Sequence, residues 1–213
     1  MVVDTILFGD CRETLKEFDG KARTCVTSPP YYGLRNYGNE EDQIGQEQTP
    51  EEYIQNLVEV FRSVRDVLTD DGTLWVNIGD SYYNYRPGKG QALPKQTVSK
   101  TKQDLPDKCA KRGNKLEGLK EKDLIGIPWM LAFALRADGW YLRQDIIWHK
   151  PNPMPESVKD RCTKSHEYIF LLSKNRKYYY NNEAIKEPVK QDWGTRDRTK
   201  GKYHNPGTGL VPH

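Results

Sequence analysis

Apolar residues in the first part of the chain fall into short runs separated by a segment with helical spacing. Residues 2–8 and 24–27 are two such runs, and turn-forming residues follow each at once, which predicts two short strands. Between them, Leu15 and Phe18 are spaced to share one helix face, so a short helix is predicted over residues 12–18. The chain is therefore expected to open with a strand, a helix and a second strand.

The longest predicted helix begins at Thr49. The sequence Thr-Pro-Glu-Glu gives it a hydroxyl N-cap, a proline at the first helical position and Glu52 three residues after the cap. Gly72 is expected to end this helix, and the apolar run 73–78 then predicts a third strand. The apolar residues expected to face a sheet are Ile54, Leu57, Val58, Phe61, Val64 and Leu68.

The pattern is interrupted by residues 84–121, which are rich in Lys, Gly, Pro, Gln and Asn and predict a long mobile loop. Beyond the loop, Pro128 and Gly139 mark the entry and the end of another buried helix. The runs 140–148 and 167–173 predict two final strands, and the polar residues 182–213 predict a flexible tail.

Alternating strands and helices predict one α/β domain over residues 1–213 with a mostly parallel sheet. The last two strands are connected without a crossover helix. They are therefore expected to pair antiparallel, as a hairpin at the edge of the sheet.

Composition and cysteine spacing exclude several classes of protein. The four cysteines are far apart and form no C-x-x-C pair, and His166 has no second His or Cys at ligand spacing, so neither a disulfide framework nor a metal site is expected. The amino terminus carries Asp4 where a secretory signal would be positively charged. The most apolar run, 124–135, is interrupted by Gly126 and Pro128 and is shorter than a bilayer span. A cytoplasmic protein without membrane contact is expected.

Positive charge is concentrated in the predicted loop. The chain carries a net charge of +3, yet residues 86–122 contain eleven Lys or Arg against four Asp or Glu. Lysines that neutralise phosphates give affinity for nucleic acid without sequence preference, so the loop is a candidate DNA contact. A solvated insertion without a partner is the alternative. The candidate loop residues are Lys89, Lys95, Lys100, Lys102, Lys111 and Arg112.

Ser28-Pro29-Pro30-Tyr31 is the sharpest chemical signature, and it directly follows a predicted strand. Prolines have a fixed φ and no N–H, so the preceding carbonyls can project from a rigid turn. The Ser28 hydroxyl and the Pro29 carbonyl could then accept hydrogen bonds from the amine of a nucleobase, while Tyr31 stacks on the base. This arrangement depends on well-placed acceptors and needs no strong base.

Around this tetrapeptide, residues 27–38 (TSPPYYGLRNYG) resemble the catalytic motif of DNA methyltransferases that modify the N4 of cytosine or the N6 of adenine, with the form [D/N/S]-P-P-[Y/F/W]. The resemblance continues through residues 49–82 and 123–180. It implies a Rossmann-like fold with a seven-stranded sheet, S-adenosylmethionine as methyl donor and double-stranded DNA as substrate. Serine at the first motif position is more frequent in the cytosine enzymes, so cytosine is favoured and adenine stays open.

Three further residues are candidates with two interpretations each. Asp10 either contacts the adenosine half of the cofactor, by analogy with the family, or caps the helix over residues 12–18. Asp80 either lines the base or cofactor pocket or forms a turn after its strand. Lys150 follows the strand 140–148 and either meets a DNA phosphate or is an ordinary exposed lysine.

One family feature is missing from the sequence. The order of motifs resembles the β arrangement, in which a glycine-rich F-x-G-x-G cofactor segment comes late, and Gly207-Thr208-Gly209 lacks the strand and helix of such a segment. The fold is therefore expected to be incomplete. Two classes remain open: an active enzyme, with a restriction endonuclease as possible partner, and a DNA-binding fragment or half of a split enzyme that needs a second chain. RNA methylation is a weaker third interpretation.

Overall fold

The computed structural model describes residues 6–34, 43–83 and 116–187. The chain divides into two units, Met1–Tyr179 and Tyr180–His213. All the regular elements described lie in the first unit. The helices are α1 (Cys11–Glu17), α2 (Pro50–Val67) and α3 (Ile127–Ala137), and the strands are β1 (Ala22–Thr27), β2 (Leu68–Ile78), β3 (Tyr141–His149) and β4 (His166–Ser173).

The four strands form one mixed sheet in the order β1-β2-β4-β3. Strand β1 pairs with β2 in parallel, with Thr27 opposite Val76. Strands β3 and β4 pair antiparallel at the edge, which confirms the predicted hairpin. Strand β4 also runs antiparallel to β2, so antiparallel pairing is more extensive among the described strands than the sequence predicted. The α/β class is confirmed.

Helices α2 and α3 bury their apolar faces against the sheet. Alternate residues of β2, namely Leu74, Val76 and Ile78, are buried on the face that the helices cover. On the same face, the ring of Trp129 from α3 meets Phe170 of β4 edge-on, with ring centroids 5.2 Å apart. The predicted apolar residues of α2 are all buried, including Ile54, Leu57, Val58, Phe61 and Val64.

Helix α2 begins as predicted but ends earlier. Thr49 and Glu52 form a capping box in which each side chain accepts a backbone N–H of the other residue. The prediction that Gly72 ends the helix is wrong: the helix ends at Val67, and Gly72 lies within β2. Leu68 is almost completely buried and already pairs with Ala22 of β1, so burial and pairing extend the strand towards the helix.

The predicted strand over residues 2–8 is not formed in its described part. Ile6, Leu7 and Phe8 lie outside any strand and are exposed, and residues 2–5 fall outside the described part of the chain. An apolar run becomes a strand only when a neighbouring strand pairs with it and covers one side. The apolar composition of this run was therefore an insufficient signal. The predicted tail is described over residues 182–187, which form neither helix nor strand.

We expect Thr49→Ala to lower the free energy of unfolding by about 1 kcal/mol, because it removes the acceptor for the Glu52 N–H at the start of α2. Urea denaturation of the 213-residue chain measures this change. Gln55→Ala, at an exposed position of the same helix, is the control and should change stability by less than about 0.5 kcal/mol. Equal stability of the two variants would show that the capping box does not hold the helix.

No helix in the described part of the chain is long and apolar enough to cross a membrane. Among the same residues, no group of three or more His, Cys, Asp or Glu side chains is arranged to bind a metal ion.

Candidate active site

Strand register brings four polar segments to one edge of the sheet. The carboxyl ends of β1 and β2 meet there because the two strands are parallel. Strand β4 is antiparallel to β2, with Ile78 opposite Tyr168, so the amino end of β4 lies at the same edge. The carboxyl end of β3 joins it, since Trp148 is opposite Glu167. The segments gathered at this edge are residues 28–31, 79–81, 149–150 and 166–167.

The Ser-Pro-Pro-Tyr turn leaves β1 at this edge and is accessible from solvent. Ser28 is exposed, and Pro29, Pro30 and Tyr31 are half-buried, so the turn is not sealed in the core. The Tyr53 hydroxyl of α2 donates to the Pro30 carbonyl at 2.7 Å. The Pro30 carbonyl therefore anchors the turn on α2. The Pro29 carbonyl is the one that is predicted to accept a hydrogen bond from the base.

The hydroxyl of Tyr31 lies between acceptors on two strands. It is 2.7 Å from the Asn77 Oδ1 of β2 and 3.1 Å from the Glu167 Oε2 of β4. The ammonium of Lys150 donates to the other oxygen of Glu167. Burial raises the pKa of the Tyr31 hydroxyl. A hydrogen bond with the Ser28 side chain lowers this pKa in part, and the nearby Glu167 carboxylate raises it. The phenol is therefore neutral at physiological pH and keeps the proton it donates.

Gly79 allows the ring of Tyr31 to lie directly against the end of β2. A Cβ built on Gly79 would be 2.6 Å from the Cε2 atom of the Tyr31 ring, closer than real Cβ atoms approach other atoms. Any side chain at this position would therefore push the ring away. The glycine is required here for close approach, since its backbone conformation is one that other residues can adopt.

We expect Gly79→Ala to lower the free energy of unfolding by about 1–3 kcal/mol, because the new methyl group overlaps the Tyr31 ring. Urea denaturation measures the change. In a Tyr31→Ala background the overlap is gone, and Gly79→Ala should then cost almost nothing. A cost that is the same in both backgrounds would mean that some other neighbour of Gly79 causes it.

Asp10 caps helix α1, as the structural interpretation predicted. Its carboxylate accepts the Arg12 N–H at 2.8 Å and forms an ion pair with the Arg12 guanidinium. Hydrogen bonds from Arg12 lower the pKa of Asp10 to about 2. The carboxylate nevertheless stays exposed and accessible to a cofactor, and that contact stays a prediction.

Asp80 connects the end of β2 to the start of α3. Its carboxylate accepts the N–H of Ser81 at 2.9 Å, that of Gly126 at 3.0 Å and that of Ile127 at 3.1 Å. These bonds cap α3 from 46 residues away in the chain, whereas residues 79–81 form no turn, so the turn predicted at Asp80 is wrong. The predicted role at a base or cofactor pocket stays a prediction.

The β3–β4 connection brings basic side chains to the same edge. The Lys164 ammonium donates to the Asp80 carbonyl at 3.1 Å, and burial lowers the pKa of Lys164. The Arg161 guanidinium lies over the Tyr82 ring, 3.9 Å from its centroid. Lys150, a predicted DNA contact, is partly exposed beside Glu167.

The six predicted loop contacts fall outside the described residues: Lys89, Lys95, Lys100, Lys102, Lys111 and Arg112.

The motif identifies the turn, but the residues that hold the turn in place carry no motif of their own. Asn77 is a polar residue within the apolar run 73–78, and that irregularity is a usable signal. Glu167 has no such signal in the sequence, and Tyr53 lies among the buried residues of α2. All three bind the turn through hydrogen bonds that depend on the tertiary fold.

Comparison with known proteins shows which family the chain belongs to. The family of N6/N4 DNA methylases matches residues 22–208, which include every strand described. The chain belongs to this family. Similar curated proteins include the Type II methyltransferase M.SmaI of Serratia marcescens, 55% identical over 190 residues, and the Type II methyltransferase M.Cfr9I of Citrobacter freundii, 51% identical over 195 residues.

These matches cover 86% and 91% of the chain but only 60% and 62% of the two relatives, so the chain spans about three fifths of their length.

Solved structures confirm the methyltransferase fold. A Thermus thermophilus protein assigned to the DNA modification methylases, complexed with S-adenosyl-L-methionine, has a TM-score of 0.50 at 21% identity, and the match covers 83% of this chain and 55% of that protein. The cytosine-N4-specific PvuII DNA methyltransferase has a TM-score of 0.51 at 16% identity over 80% of this chain and 49% of its own.

Proposed function

We propose that this chain carries the base-binding and catalytic turn of an S-adenosylmethionine-dependent DNA methyltransferase, and that its target is the N4 of cytosine. The main observation that supports this proposal is that Ser28 is exposed on a turn made rigid by two prolines, at the edge of the sheet where the strand ends meet. Family membership supports the reaction class. Serine at the first position of the motif supports cytosine over adenine.

In the proposed mechanism, the target base is flipped out of double-stranded DNA and stacks on Tyr31. The exocyclic amine is a poor nucleophile because its lone pair is delocalised into the ring. The Ser28 hydroxyl oxygen and the Pro29 carbonyl each accept one amine hydrogen, which favours a pyramidal nitrogen with a freed lone pair. With S-adenosylmethionine bound, this nitrogen would take the methyl group, the carbon–sulfur electron pair would stay on sulfur in S-adenosylhomocysteine, and the surplus amine proton would pass to water.

The cofactor fits the described residues in part. Asp10 presents an exposed carboxylate that suits the hydroxyl groups of an adenosine, and we assign it to the adenosine half. Both carboxylates already accept hydrogen bonds, that of Asp10 from Arg12 and that of Asp80 from three backbone N–H groups, but Asp80 fits less well because it is only partly exposed. When bound, S-adenosylmethionine supplies a methyl group on a positively charged sulfur. The turn residues supply orientation and hydrogen-bond acceptors.

Double-stranded DNA is the proposed partner of the basic side chains. Lys150 lies beside Glu167 at the same edge as the turn and is partly exposed, and we propose that it meets a phosphate near the base. The lysines of residues 84–121 are proposed to follow the DNA backbone. The names of the relatives as Type II methyltransferases support a restriction endonuclease of the same specificity as a further partner.

The test is to incubate the 213-residue chain with unmethylated DNA and S-adenosylmethionine carrying a labelled methyl group, then digest the DNA to nucleosides and identify the labelled product by mass spectrometry. We expect N4-methyldeoxycytidine. N6-methyldeoxyadenosine would overturn the choice of base and keep the reaction class. Retained DNA binding with no labelled nucleoside, and no heat on titration with S-adenosylmethionine, would favour a non-catalytic fragment or one half of a split enzyme.

A further inference from the structure

At the proposed base site, the Tyr31 hydroxyl is hydrogen-bonded to side chains on two different strands, β2 and β4. We infer that Asn77 and Glu167 are positioning residues that fix the Tyr31 ring in the orientation needed to stack on the target base. The inference rests on the proposed function, in which Tyr31 contacts the base. It assigns a role to two residues outside the Ser-Pro-Pro-Tyr turn.

The register of the sheet places both acceptors on the same face. Asn77 is opposite Ile169 across the β2–β4 pair, and Glu167 precedes Ile169 by two residues. Because side chains alternate along a strand, Asn77 and Glu167 point to one side of the sheet. The other side carries Tyr168 and Phe170, which pack on Trp129 of α3. The two acceptors are thus neighbours on the face opposite to α3.

Contacts along one side of the Tyr31 ring and at its hydroxyl restrict its movement. The ring lies against Gly79, where a Cβ would be 2.6 Å from the ring. At its far end, the hydroxyl is 2.7 Å from Asn77 and 3.1 Å from Glu167. A tyrosine ring moves by rotation about two bonds, so contacts along one side of the ring and at its hydroxyl leave little freedom. Stacking then needs little further ordering when a base arrives.

The carboxylate of Glu167 is itself oriented. Its side chain is 19% exposed, and its second oxygen accepts the Lys150 ammonium, so each oxygen has a different partner. A hydroxyl has one proton to donate and can be shared between two acceptors. Loss of either acceptor therefore loosens the ring without removing it, and the expected effect is smaller than that of losing Ser28.

The experiment is a double-mutant cycle on methyl transfer, with kcat and the KM for DNA measured separately. Asn77→Ala, Glu167→Ala and Tyr31→Phe should each lower kcat about tenfold and change KM less than about threefold. In the Tyr31→Phe background the hydroxyl is absent, so Asn77→Ala or Glu167→Ala should lower kcat less than about twofold further. Glu167→Gln keeps one acceptor oxygen for two donors, so its kcat should lie between those of the wild type and Glu167→Ala.

Asp138→Asn is the matched control. Asp138 is also an ion-paired carboxylate with little exposure, 13% against 19% for Glu167, but its partner Arg62 lies near the carboxyl end of α2, away from the turn. This variant should keep both kcat and KM. Urea denaturation of each variant separates a loss of fold from a loss of orientation. If Glu167→Ala fails to fold, the cycle of Asn77 with Tyr31 decides alone.

The outcomes separate this inference from the proposed function. Full kcat in both acceptor variants, or losses that are as large in the Tyr31→Phe background as in the wild type, would overturn the positioning role even if Ser28→Ala abolishes transfer. Transfer that is unaffected by both Ser28→Ala and Tyr31→Ala would overturn the proposed function of the turn instead. A rise in KM with constant kcat would overturn the positioning role of Glu167 and assign it to DNA binding through Lys150.

Discussion

Ser28→Ala is expected to lower kcat for methyl transfer about a hundredfold. The substitution removes the hydroxyl oxygen that accepts one amine hydrogen of the base, and losing one preorganised hydrogen-bonding group of a catalytic site costs about 10²–10³ in kcat. Ser28 is exposed at the end of β1, so the free energy of unfolding should change by less than about 0.5 kcal/mol. Initial rates with labelled S-adenosylmethionine at saturating DNA measure the effect.

Two further variants make the Ser28 experiment specific. Ser28→Asn retains an oxygen acceptor and should transfer faster than Ser28→Ala, in keeping with the asparagine that the family motif allows. Ser63→Ala removes a hydroxyl from helix α2 and should leave transfer unchanged. Methylation by Ser28→Ala at the wild-type rate would remove the serine from the mechanism.

Phe170→Ala is expected to lower the free energy of unfolding by about 3–5 kcal/mol. Phe170 is 1% exposed in the centre of β4, and its ring packs on Trp129, with centroids 5.2 Å apart, and on Tyr168. The deletion leaves a cavity between the sheet and α3 that the neighbouring rings cannot fill. Because small domains are stable by only about 5–15 kcal/mol, this one change should remove a large share of the total.

Phe133→Ala is the control for the Phe170 experiment. Phe133 also contacts Trp129, with centroids 5.7 Å apart, but it is 48% exposed on α3. Its removal leaves no closed cavity, so the expected loss is below about 1 kcal/mol. Urea denaturation of the two variants gives the comparison directly. Similar losses from both would mean that contact with Trp129, and not burial in the core, determines the cost.

Two predictions made from local sequence patterns are confirmed. The Thr49 capping box gave the start of α2 correctly, and the missing crossover helix gave the β3–β4 hairpin. Predictions that needed knowledge of a partner strand were less accurate. Gly72 is a helix breaker by propensity, yet it lies in β2 because Leu68 before it is buried and paired. Ile6 and Phe8 have strand-like composition and are exposed outside any strand.

The same distinction applies to the candidate site. Ser28 and Tyr31 could be found because their motif is contiguous and stands at a strand end. The partners of Tyr31 could not, since Asn77 and Glu167 are 46 and 136 residues away in the chain. Their approach depends on the pairing of β2 with β4, and pattern analysis gives strand identity without register. Asp80 was predicted to line the base or cofactor pocket, and its carboxylate also caps helix α3, which the sequence pattern did not indicate.

The pairing of β4 sets which length changes the protein can tolerate. Residues 150–165 join two strands whose alignment is fixed by eight facing residue pairs, from Tyr141–Ser173 to His149–His166. An amino acid inserted in that connection lengthens a surface segment and leaves the ladder in place. One inserted after Glu167, inside the strand, would force the residues before it to exchange sides, and the carboxylate would turn away from the tyrosine. Insertions are therefore expected to be tolerated in the connection and to be disruptive within the strand.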